Sequence, residues 1–362
     1  MKNKKRIMIY YDSMNASGGI ERVIANLITV WVKEYDICLV VKDEGVSFYP
    51  LPDAIEIKSL HTAVHLNMHN RVQRFFSLIK SLMASRKKLS KVVREVKPDY
   101  IYAAHIYNLV ELFLIDRSIR SKIVMSEHGS YYGYNKIYTL LKRCLYPKVY
   151  CVSVPNRMDV EVYNGWKNNA IFIPHLVTYS VLKRNPLNTK IVLNIGRLTQ
   201  DKRQDVLIKI WSEVKNKQDW QLWIVGDGEE KEKLQMLIVE LNLEQSVKLL
   251  PARKNIEEIY QQASVFAFSS QYEGFGMVLL EAMSFGIPCI SFDCPSGPRD
   301  VVQNEVNGYL VENANVEQYR RLLEKLLHMD VEELQQYGQA AYDFVRQWDN
   351  GKITEKWKQV FR

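Results

Sequence analysis

The sequence predicts an α/β fold with two doubly wound parallel sheets. Short apolar segments alternate with amphipathic helical segments through both halves of the chain, which is the pattern that βαβ units produce. Glycines and polar residues directly follow several of the apolar segments, as expected where parallel strands end and ligands bind. The chain has 362 residues, of which 47% are hydrophobic, so two domains of about 150 residues can each bury a core.

The first domain is expected over residues 1–178. Its predicted strands are Ile7–Tyr11, Ile37–Val41, Ala54–Ser59, Tyr100–Ala104, Lys122–Ser126, Lys148–Val152 and Ala170–Ile173. Its predicted helices are Ile20–Val32 and the long segment Arg71–Lys97. Pro174 begins a hinge that continues through the polar segment 182–188, because proline and clustered polar residues end regular structure.

The second domain is expected over residues 189–348. Its predicted strands are Ile191–Ile195, Leu222–Val225, Val247–Leu249 and Ala263–Phe268. Its predicted helices are Asp205–Val214, Glu229–Glu240, Val316–Leu327 and Val331–Trp348. One further helical segment, Lys352–Phe361, follows them.

The net charge of +8 is unevenly distributed along the chain. Residues 1–173 carry 26 Lys and Arg against 15 Asp and Glu, whereas residues 174–362 carry 23 against 26. A basic half beside a slightly acidic half predicts that the first domain meets an anionic surface or substrate. We expect no nucleic acid partner.

The cysteine and histidine spacings bear on compartment and metal binding. The chain has five cysteines without a CxxC pair, which favours a reducing, cytoplasmic compartment over a disulfide frame or structural zinc. His61, His65 and His69 have the spacing of one helix face and could resemble metal ligands. No carboxylate or cysteine completes that set, so a polar loop or helix start is the favoured interpretation. No apolar run reaches the roughly 20 residues that span a bilayer.

The stretch Ser269–Asp300 contains the strongest functional pattern. Glu273 and Glu281 are separated by seven residues, with a glycine-rich turn and an apolar run between them. A strand, a glycine turn and a helix in this order predict a ligand site that favours an anion at the helix start. The two carboxylates could then accept hydrogen bonds from sugar hydroxyls. For either glutamate alone, a helix cap or a solvated side chain is the alternative.

This stretch resembles the E-x7-E signature of retaining glycosyltransferases of the GT-B type, family four. The resemblance implies two Rossmann-like domains that face a central cleft, with a last helix crossing back, so residues 349–362 are assigned to the first domain. It also implies that Glu273 faces the donor sugar and Glu281 the nucleotide ribose. The intervening turn would complete this part of the donor site with Gly274, Phe275, Gly276 and Met277. Asp300 stands where the family usually has a glutamate.

A second cluster runs from Asn194 to Arg203 and resembles the family's G-R-x-x-x-x-K motif, whose basic residues bind the donor diphosphate. Arg197 offers a planar fork to phosphate and Lys202 a compact charge, and fixed cations stabilise a departing diphosphate. A surface loop of ordinary charges is the alternative. Leu250 directly follows the predicted strand Val247–Leu249 and is predicted to contact the donor base. With these cations and no Asp-x-Asp motif, we expect neither a metal nor a cofactor.

In the first domain, Gly18–Arg22 resembles the family's G-G-x-E-R loop, which implies that Gly19 lies against the donor phosphate. The loop is not GxGxxG, so a dinucleotide dehydrogenase is not supported. His128 follows a predicted strand, and the resemblance implies a histidine near the donor sugar at such a turn. A lone histidine is more often a satisfied polar residue, and His105 is the second candidate for the same role.

The resemblance implies a retaining glycosyltransferase that moves a hexose or N-acetylhexosamine from a UDP-sugar to a saccharide acceptor. The expected acceptor is lipid-linked, and the expected process is the assembly of a bacterial surface polysaccharide. His128, Glu273, Arg197 and Lys202 form the predicted catalytic set. A nucleotide-sugar epimerase or hydrolase of similar fold and a non-catalytic nucleotide-sugar-binding subunit are the alternatives.

Two basic segments of the first domain predict peripheral binding to the inner face of the cell membrane. Arg71–Lys97 holds nine Lys and Arg against the single acid Glu95, with apolar residues at helical spacing. Lys136, Lys142, Arg143 and Lys148 form a second basic run with apolar neighbours. Basic amphipathic helices bind anionic lipid surfaces. The alternative for each is an ordinary surface helix.

Overall fold

The computed structural model describes residues 4–63, 71–179, 184–253, 255–348 and 350–362. The chain forms two compact units. The first unit consists of Met1–His128, Tyr134–Leu176 and Thr354–Arg362, and the second of Gly129–Gly133 and Val177–Ile353. Each unit is built on one parallel sheet.

The first unit contains seven strands, all parallel, in the order β3-β2-β1-β4-β5-β6-β7. They are β1 (Arg6–Tyr10), β2 (Asp36–Val41), β3 (Glu56–Ser59), β4 (Tyr100–Ala103), β5 (Ile123–Ser126), β6 (Cys151–Val154) and β7 (Ala170–Phe172). The chain order reverses between β1 and β4, so that point is the place where such a sheet offers a ligand site.

The helices of the first unit connect these strands and close the fold. They are α1 (Gly19–Trp31), α2 (Arg71–Val96), α3 (Ile106–Phe113), α4 (Lys136–Leu145) and α5 (Arg157–Asn164). The last helix of the chain, α12 (Asn350–Val360), ends in this unit. Trp357 and Phe361 pack edge-on against Trp31, with ring centroids 5.0 and 4.9 Å away, and Lys358 pairs with Glu34 at 2.6 Å. The prediction that the last helix returns to the first domain is confirmed.

The second unit contains six parallel strands in the order β10-β9-β8-β11-β12-β13. They are β8 (Ile191–Ile195), β9 (Gln221–Val225), β10 (Val247–Leu250), β11 (Val265–Phe268), β12 (Cys289–Phe292) and β13 (Gly308–Val311). Its helices are α6 (Gln204–Glu213), α7 (Lys231–Glu240), α8 (Glu257–Tyr260), α9 (Met277–Ser284), α10 (Val316–His328) and α11 (Val331–Gln347). The switch point lies between β8 and β11.

Both sheets confirm the predicted pair of doubly wound domains. The strand at Ile191–Ile195 has the predicted bounds, whereas β6 begins three residues later than predicted because Tyr146–Lys148 forms a 3₁₀ turn. The strands β12 and β13 were not predicted; each is only four residues long. None of the described helices is long and apolar enough to cross a membrane.

Candidate active site

The centre of the candidate site in the second unit is a direct contact between Lys202 and Glu273. The ammonium of Lys202 donates a hydrogen bond to Oε2 of Glu273 over 2.7 Å, and both side chains are about one-fifth exposed. Burial alone would lower the pKa of Lys202, but the carboxylates of Glu273 and Asp201 outweigh burial and raise it. The lysine is therefore a permanent cation at neutral pH.

Backbone contacts fix this pair at the switch point. The hydroxyl of Ser269, just after β11, donates to the carbonyl of Lys202 over 2.8 Å. The amide of Gln271 donates to the carbonyl of Asp201, also over 2.8 Å. The loops that follow β8 and β11 are thereby joined, so residues 71 positions apart in the sequence meet at one edge of the sheet.

Arg197 lies one residue beyond Gly196, which follows β8, and its side chain is exposed. Its backbone carbonyl accepts a hydrogen bond from Gln204. Within the described ranges, its guanidinium makes no hydrogen bond or ion pair. The positive charge of Arg197 repels that of Lys202, and this repulsion acts to lower the pKa of Lys202. An exposed guanidinium beside a lysine gives the loop two cations suited to a phosphate group.

The turn from Glu273 to Met277 is shaped by one glycine. Gly276 has φ +85° and ψ +51°, and it caps the start of α9. This left-handed conformation is costly for any residue with a Cβ. The side chain of Phe275 is buried and packs on Trp348 with ring centroids 5.6 Å apart, so only its backbone is placed to face a ligand. Met277 is partly buried against the core.

Glu281 is buried within the second unit, on the second turn of α9. Its Oε2 accepts a hydrogen bond from the hydroxyl of Tyr260 over 2.9 Å, and its Oε1 accepts one from Thr178 over 3.2 Å. The structure therefore separates the two glutamates of the motif: Glu273 is partly exposed and paired with a cation, whereas Glu281 is held by hydroxyls.

The segment after β12 closes against the turn. A Cβ at Gly297 would lie 2.5 Å from the backbone of Phe275, so only glycine permits this approach. Ser296 has φ +81° and ψ −134°, and Ser296 and Glu273 form an isolated parallel bridge. Non-glycine residues in such conformations are found where the surrounding structure enforces them, often at functional sites. Cys294 lies beside the site, and burial raises the pKa of its thiol to about 12.

The turn after β9 packs on the loop after β8 and contacts the end of β10. A Cβ at Gly226 would lie 1.9 Å from the carbonyl oxygen of Gly196, whereas no atom within 3.4 Å would oppose one at Gly196. The close approach therefore depends on Gly226 and not on Gly196. Leu250 is partly buried, and its carbonyl accepts a hydrogen bond from the amide of Gly226 over 3.0 Å.

In the first unit, His128 follows β5 and is held by two aromatic neighbours. Its Nε2 lies 3.3 Å from the hydroxyl of Tyr102, and its ring stacks on that of His175 with centroids 5.3 Å apart. Burial, and then the charges of His175 and His105, hold the pKa of His128 well below its usual range. Burial lowers the pKa of His175 to about 3. Both rings are therefore neutral at neutral pH.

The other histidine candidate, His105, caps α3. Its Nδ1 accepts a hydrogen bond from the amide of Tyr107 over 3.3 Å, which gives it a structural role. Gly19 begins α1, and a Cβ placed there would meet nothing within 4 Å. The side chain of Glu21 lies against Gly18 instead: a Cβ placed on Gly18 would lie 2.2 Å from the carboxylate of Glu21. The start of α1 thus already holds one carboxylate.

A buried ion pair between Lys142 and Glu127, the residue before His128, corrects one prediction. Lys142 was expected on a basic surface, but it is buried and its ammonium lies 2.8 Å from Glu127. Tyr146 also donates to Glu127, and Lys142 lies 3.1 Å from the ring centroid of Tyr134. Lys142 is therefore unavailable to a membrane. Its partner is 15 residues away, and helical spacing alone could not reveal the contact.

Sequence reasoning also missed a polar cluster at the switch point of the first sheet. Lys42, just after β2, pairs with Asp12 at 2.7 Å and with Glu111 at 2.8 Å. The hydroxyl of Tyr10 donates to Glu111 over 2.6 Å, and Asn108 donates to Asp12 over 3.1 Å. The available signal was the position of Asp12 and Lys42 directly after apolar strands.

The predicted histidine row is only partly described. His61 lies in the loop after β3 and faces Glu44 at 3.4 Å, whereas His65 and His69 lie outside the described residues. Among the described residues, no group of three or more His, Cys, Asp or Glu side chains is arranged to hold a metal ion.

Comparisons with known proteins agree with this architecture. Residues 182–344 match the sequence model of the family described as "Glycosyl transferases group 1", which covers most of the second unit. The amylovoran biosynthesis glycosyltransferase AmsD of Erwinia amylovora is 26% identical over 375 residues, covering 98% of this chain and 99% of that protein.

A second relative and a solved structure extend the comparison. The N-acetylgalactosamine-N,N'-diacetylbacillosaminyl-diphospho-undecaprenol 4-alpha-N-acetylgalactosaminyltransferase of Campylobacter jejuni is 27% identical over 332 residues, covering 87% of this chain and 88% of that protein. A TarM variant of S. aureus, solved with UDP, fondaparinux and alpha-GlcNAc-glycerol, has a TM-score of 0.82 at 15% identity, covering 99% of this chain and 100% of that one.

The structural likeness shows that the fold is GT-B. With the family match in the second unit, the comparisons support a glycosyltransferase of bacterial glycan synthesis.

Proposed function

We propose that this protein is a retaining glycosyltransferase of family four that transfers a hexose or N-acetylhexosamine from a UDP-sugar to a lipid-linked saccharide. The observation that carries the proposal is the pair of cations at the switch point of the second sheet. Arg197 is exposed and free of ion pairs within the described ranges, and Lys202 is held 2.7 Å from Glu273. Two cations beside a carboxylate fit a diphosphate attached to a hydroxyl-bearing sugar.

The proposed step breaks the bond between the anomeric carbon of the sugar and the diphosphate oxygen, and it forms a bond to the acceptor hydroxyl on the same face. The acceptor proton passes to a phosphate oxygen of the departing UDP. Arg197 and Lys202 stabilise the charge that develops on that diphosphate. Glu273 positions the sugar and does not attack it. Lys202 has three N–H donors, so it can hold Glu273 and a phosphate oxygen together.

The remaining predicted residues line the donor in this proposal. Gly274, Gly276 and the backbone of Phe275 lie against the sugar and phosphates, together with Met277. Leu250 contacts the base, Glu281 the ribose, Gly19 the phosphate and His128 the sugar. Because Glu281 already accepts hydrogen bonds from Tyr260 and Thr178, a ribose hydroxyl must use a remaining lone pair or displace Thr178.

The relatives support the donor and acceptor classes. The TarM structure holds UDP, and the C. jejuni relative is named for an undecaprenol-linked acceptor. The test is release of UDP from a panel of UDP-sugars, with and without undecaprenyl-diphosphate-linked saccharides, followed by NMR of the product's anomeric configuration. We expect acceptor-dependent release, retained configuration and full activity in excess EDTA.

The same assay separates the alternatives. An epimerase or hydrolase consumes the UDP-sugar without an acceptor, and a non-catalytic binding subunit binds UDP but releases none with any acceptor. Inverted configuration would refute retention, and activity lost in EDTA but restored by manganese would refute metal independence. Each result removes one part of the proposal and leaves the others measurable.

We also propose that the first unit binds the anionic cytoplasmic leaflet, where a lipid-linked acceptor resides. In α4, Ile137 is 71% and Leu140 is 63% exposed, with exposed Lys136 and Arg143 on either side. The helix α3 packs against both α2 and α4. The described part of α2 adds five exposed cations, Arg86, Lys87, Lys88, Lys91 and Arg94. Apolar side chains among cations fit an anionic lipid surface.

Co-sedimentation with phosphatidylcholine vesicles, with and without phosphatidylglycerol, tests this placement. Binding should need phosphatidylglycerol and weaken with salt. It should fall in a double variant of α4, Ile137→Ser with Leu140→Ser. A matched control, Met236→Ser with Val239→Ser on α7, removes apolar residues of similar exposure and should leave binding unchanged. Equal loss in both variants, or none in either, would refute the assignment to α4.

A further inference from the structure

A three-residue turn of the second unit, residues 226–228, follows β9 and is called the β9 turn here. The strand on one side of β9 is β8, whose loop, residues 196–198, carries Arg197. The strand on the other side is β10, and its loop consists of residues 251–253. Because the three strands are parallel, all three loops lie at the carboxyl edge of the sheet, where ligands bind.

Backbone atoms of the β9 turn and of Glu230 hold the β8 loop. The amide of Leu198 donates to the carbonyl of Asp227 over 3.0 Å, and the carbonyl of Leu198 accepts from the amide of Glu230 over 3.0 Å. A Cβ at Gly228 would lie 2.3 Å from the same carbonyl oxygen of Leu198. These contacts use main-chain atoms only, so they do not depend on the side chain of Asp227.

The side chain of Asp227 contacts the β10 loop. Its Oδ2 accepts a hydrogen bond from the amide of Ala252 over 3.0 Å, and its Oδ1 lies 3.1 Å from the ammonium of Lys231. The amide of Ala252, and then Lys231, lower the pKa of Asp227, so the side chain is an anion at neutral pH. An ionised acceptor makes the hydrogen bond from a backbone amide stronger.

The β10 loop depends on this contact. Pro251, Ala252 and Arg253 are all exposed, and Pro251 has no amide proton to donate. Among the residues that the structure describes, the bond from Ala252 to Asp227 is the only hydrogen bond that these three residues make. Exposed backbone with few contacts opens at little cost, so the side chain of Asp227 sets how well the loop is held in place.

We propose that Asp227 is a positioning residue that fixes the β10 loop beside the nucleoside of the UDP-sugar, while the backbone of the same turn separately fixes the β8 loop at the diphosphate. This inference deepens the proposed function and rests on it for the identity of the ligand. Two strand spacings, about 10 Å, separate β8 from β10. A ribose with its base spans about that distance, so a nucleotide whose diphosphate lies at Arg197 reaches the β10 loop.

Calorimetry with two ligands tests this division of roles. In the proposal UDP contacts both loops, whereas inorganic pyrophosphate contacts only the β8 loop. Asp227→Ala should weaken UDP binding by about tenfold, near the lower end of the range for a hydrogen bond to a charged group, and should leave the affinity for pyrophosphate unchanged. If the ratio of the two dissociation constants stays as in the wild type, because neither ligand or both ligands are affected, the proposal is refuted.

Two variants separate the hydrogen bond from the charge. Asp227→Asn keeps an oxygen that can accept from Ala252, and a neutral acceptor keeps about half the strength of an ionised one. That variant should therefore bind UDP within about threefold of the wild type. Lys231→Ala removes the ion pair but leaves the bond to Ala252, so it should bind UDP normally. If either variant bound UDP as weakly as Asp227→Ala, the bond to Ala252 would not be the cause.

Asp330→Ala is the matched control for a general loss of stability. Asp330 is also an aspartate of the second unit that accepts a hydrogen bond from a backbone amide, that of Glu333, over 2.8 Å. Its loss should lower the urea midpoint and leave the affinities for UDP and pyrophosphate unchanged. A change in the ratio of the two affinities in this control, equal to that in Asp227→Ala, would contradict a specific role for Asp227.

Hydrogen exchange followed by NMR tests the contact without any nucleotide. The amide of Ala252 should exchange about tenfold faster in Asp227→Ala than in the wild type. The amide of Leu198, which is held by the backbone of the β9 turn, should exchange at the same rate in both proteins. Equal exchange at Ala252 would refute the inference. If the wild type binds no UDP, the proposed function fails, yet these rates still decide whether Asp227 holds the β10 loop.

Discussion

The carboxyl ends of the two sheets carry opposite kinds of polar group. In the second unit the charged side chains reach solvent: Arg197 is exposed, and Lys202 and Glu273 are each partly exposed. At the same edge of the first unit, Glu127 and Lys142 are buried and paired, and the buried rings of His128 and His175 are neutral. Under the proposed function, the cations of the second unit would bind the multiply charged diphosphate, and the neutral ring of His128 in the first unit would lie at the uncharged sugar.

The largest expected effect tests whether the buried charges of the first unit are structural. Lys142→Met leaves the carboxylate of Glu127 buried without its cation, and the loss of one partner of a buried pair costs about 3–5 kcal/mol. Lys136→Met, on the exposed face of the same helix, should cost less than about 0.5 kcal/mol. The measurement is the free energy of unfolding in urea. Equal stabilities of the two variants would contradict the comparison.

The next largest effect tests whether the solvent-accessible cations of the second unit, Arg197 and Lys202, bind UDP. Arg197→Ala and Lys202→Ala should each weaken UDP binding by about 1.5–3 kcal/mol, the range for hydrogen bonds to charged groups. Lys209→Ala, an exposed lysine on α6 that pairs with Asp205, is the control and should bind UDP normally. Isothermal titration calorimetry with UDP gives all three values.

A double variant sharpens this test. If Lys202 touches the diphosphate, Lys202→Ala should weaken UDP binding as much in a Glu273→Gln background as in the wild type. If it only holds Glu273, its effect should vanish in that background, because contacting residues are not additive. The second result would remove Lys202 from the donor site and leave Arg197 as its cation.

The contrast between exposed loop charges and buried ion pairs also explains which residues could be placed correctly from the sequence. The places of Lys202, Glu273 and Gly276 in the fold were predictable because each stands at a fixed spacing within a short loop next to an apolar strand. Lys142 was misplaced because its partner Glu127 lies 15 residues away, across a strand-to-helix connection. The partners of Glu281 are more remote still: Tyr260 is 21 residues away and Thr178 is 103. Local patterns predict where a charge stands in the chain, but not which distant group neutralises it.

The fold was predictable to a similar degree. Strands that are buried on both faces appear as apolar runs, and most were located to within two residues. The strands β12 and β13 were missed although β10 and β11, which were predicted, are also four residues long, so strand length alone does not explain the omission. The close approach at Gly226 could not be predicted either, since it depends on how one loop packs on another.

The buried ring of His175 in the first unit gives a pH-dependent prediction. The pKa of His175 is lowered to about 3, against about 6.5 in an unfolded chain. Between these values the unfolded chain binds a proton that the native state does not. Stability should therefore fall as pH falls below about 6.5, by about 1.4 kcal/mol per pH unit for this group, and should be level above it.

Urea unfolding of the wild type and of His175→Gln at several pH values between about 4 and 8 measures this slope. The variant should lose about 1.4 kcal/mol per pH unit of the wild-type slope, and the remainder belongs to His128 and other groups. An unchanged slope in His175→Gln would mean that His175 is protonated in the native state, and the first unit would then hold a buried cation.

The smallest effect compares one glycine from each unit. Gly276 in the second unit has φ +85°, so Gly276→Ala should cost about 1–2 kcal/mol of stability whatever its role in binding. A Cβ at Gly19 in the first unit would meet nothing within 4 Å, so Gly19→Ala should leave stability within about 0.5 kcal/mol of the wild type.

The packing of the protein therefore gives no reason for a glycine at position 19. If a donor phosphate lies against it as proposed, Gly19→Ala should weaken UDP binding in calorimetry while the urea midpoint stays constant. Unchanged UDP affinity in Gly19→Ala would remove Gly19 from the donor site and confine the donor to the second unit and His128.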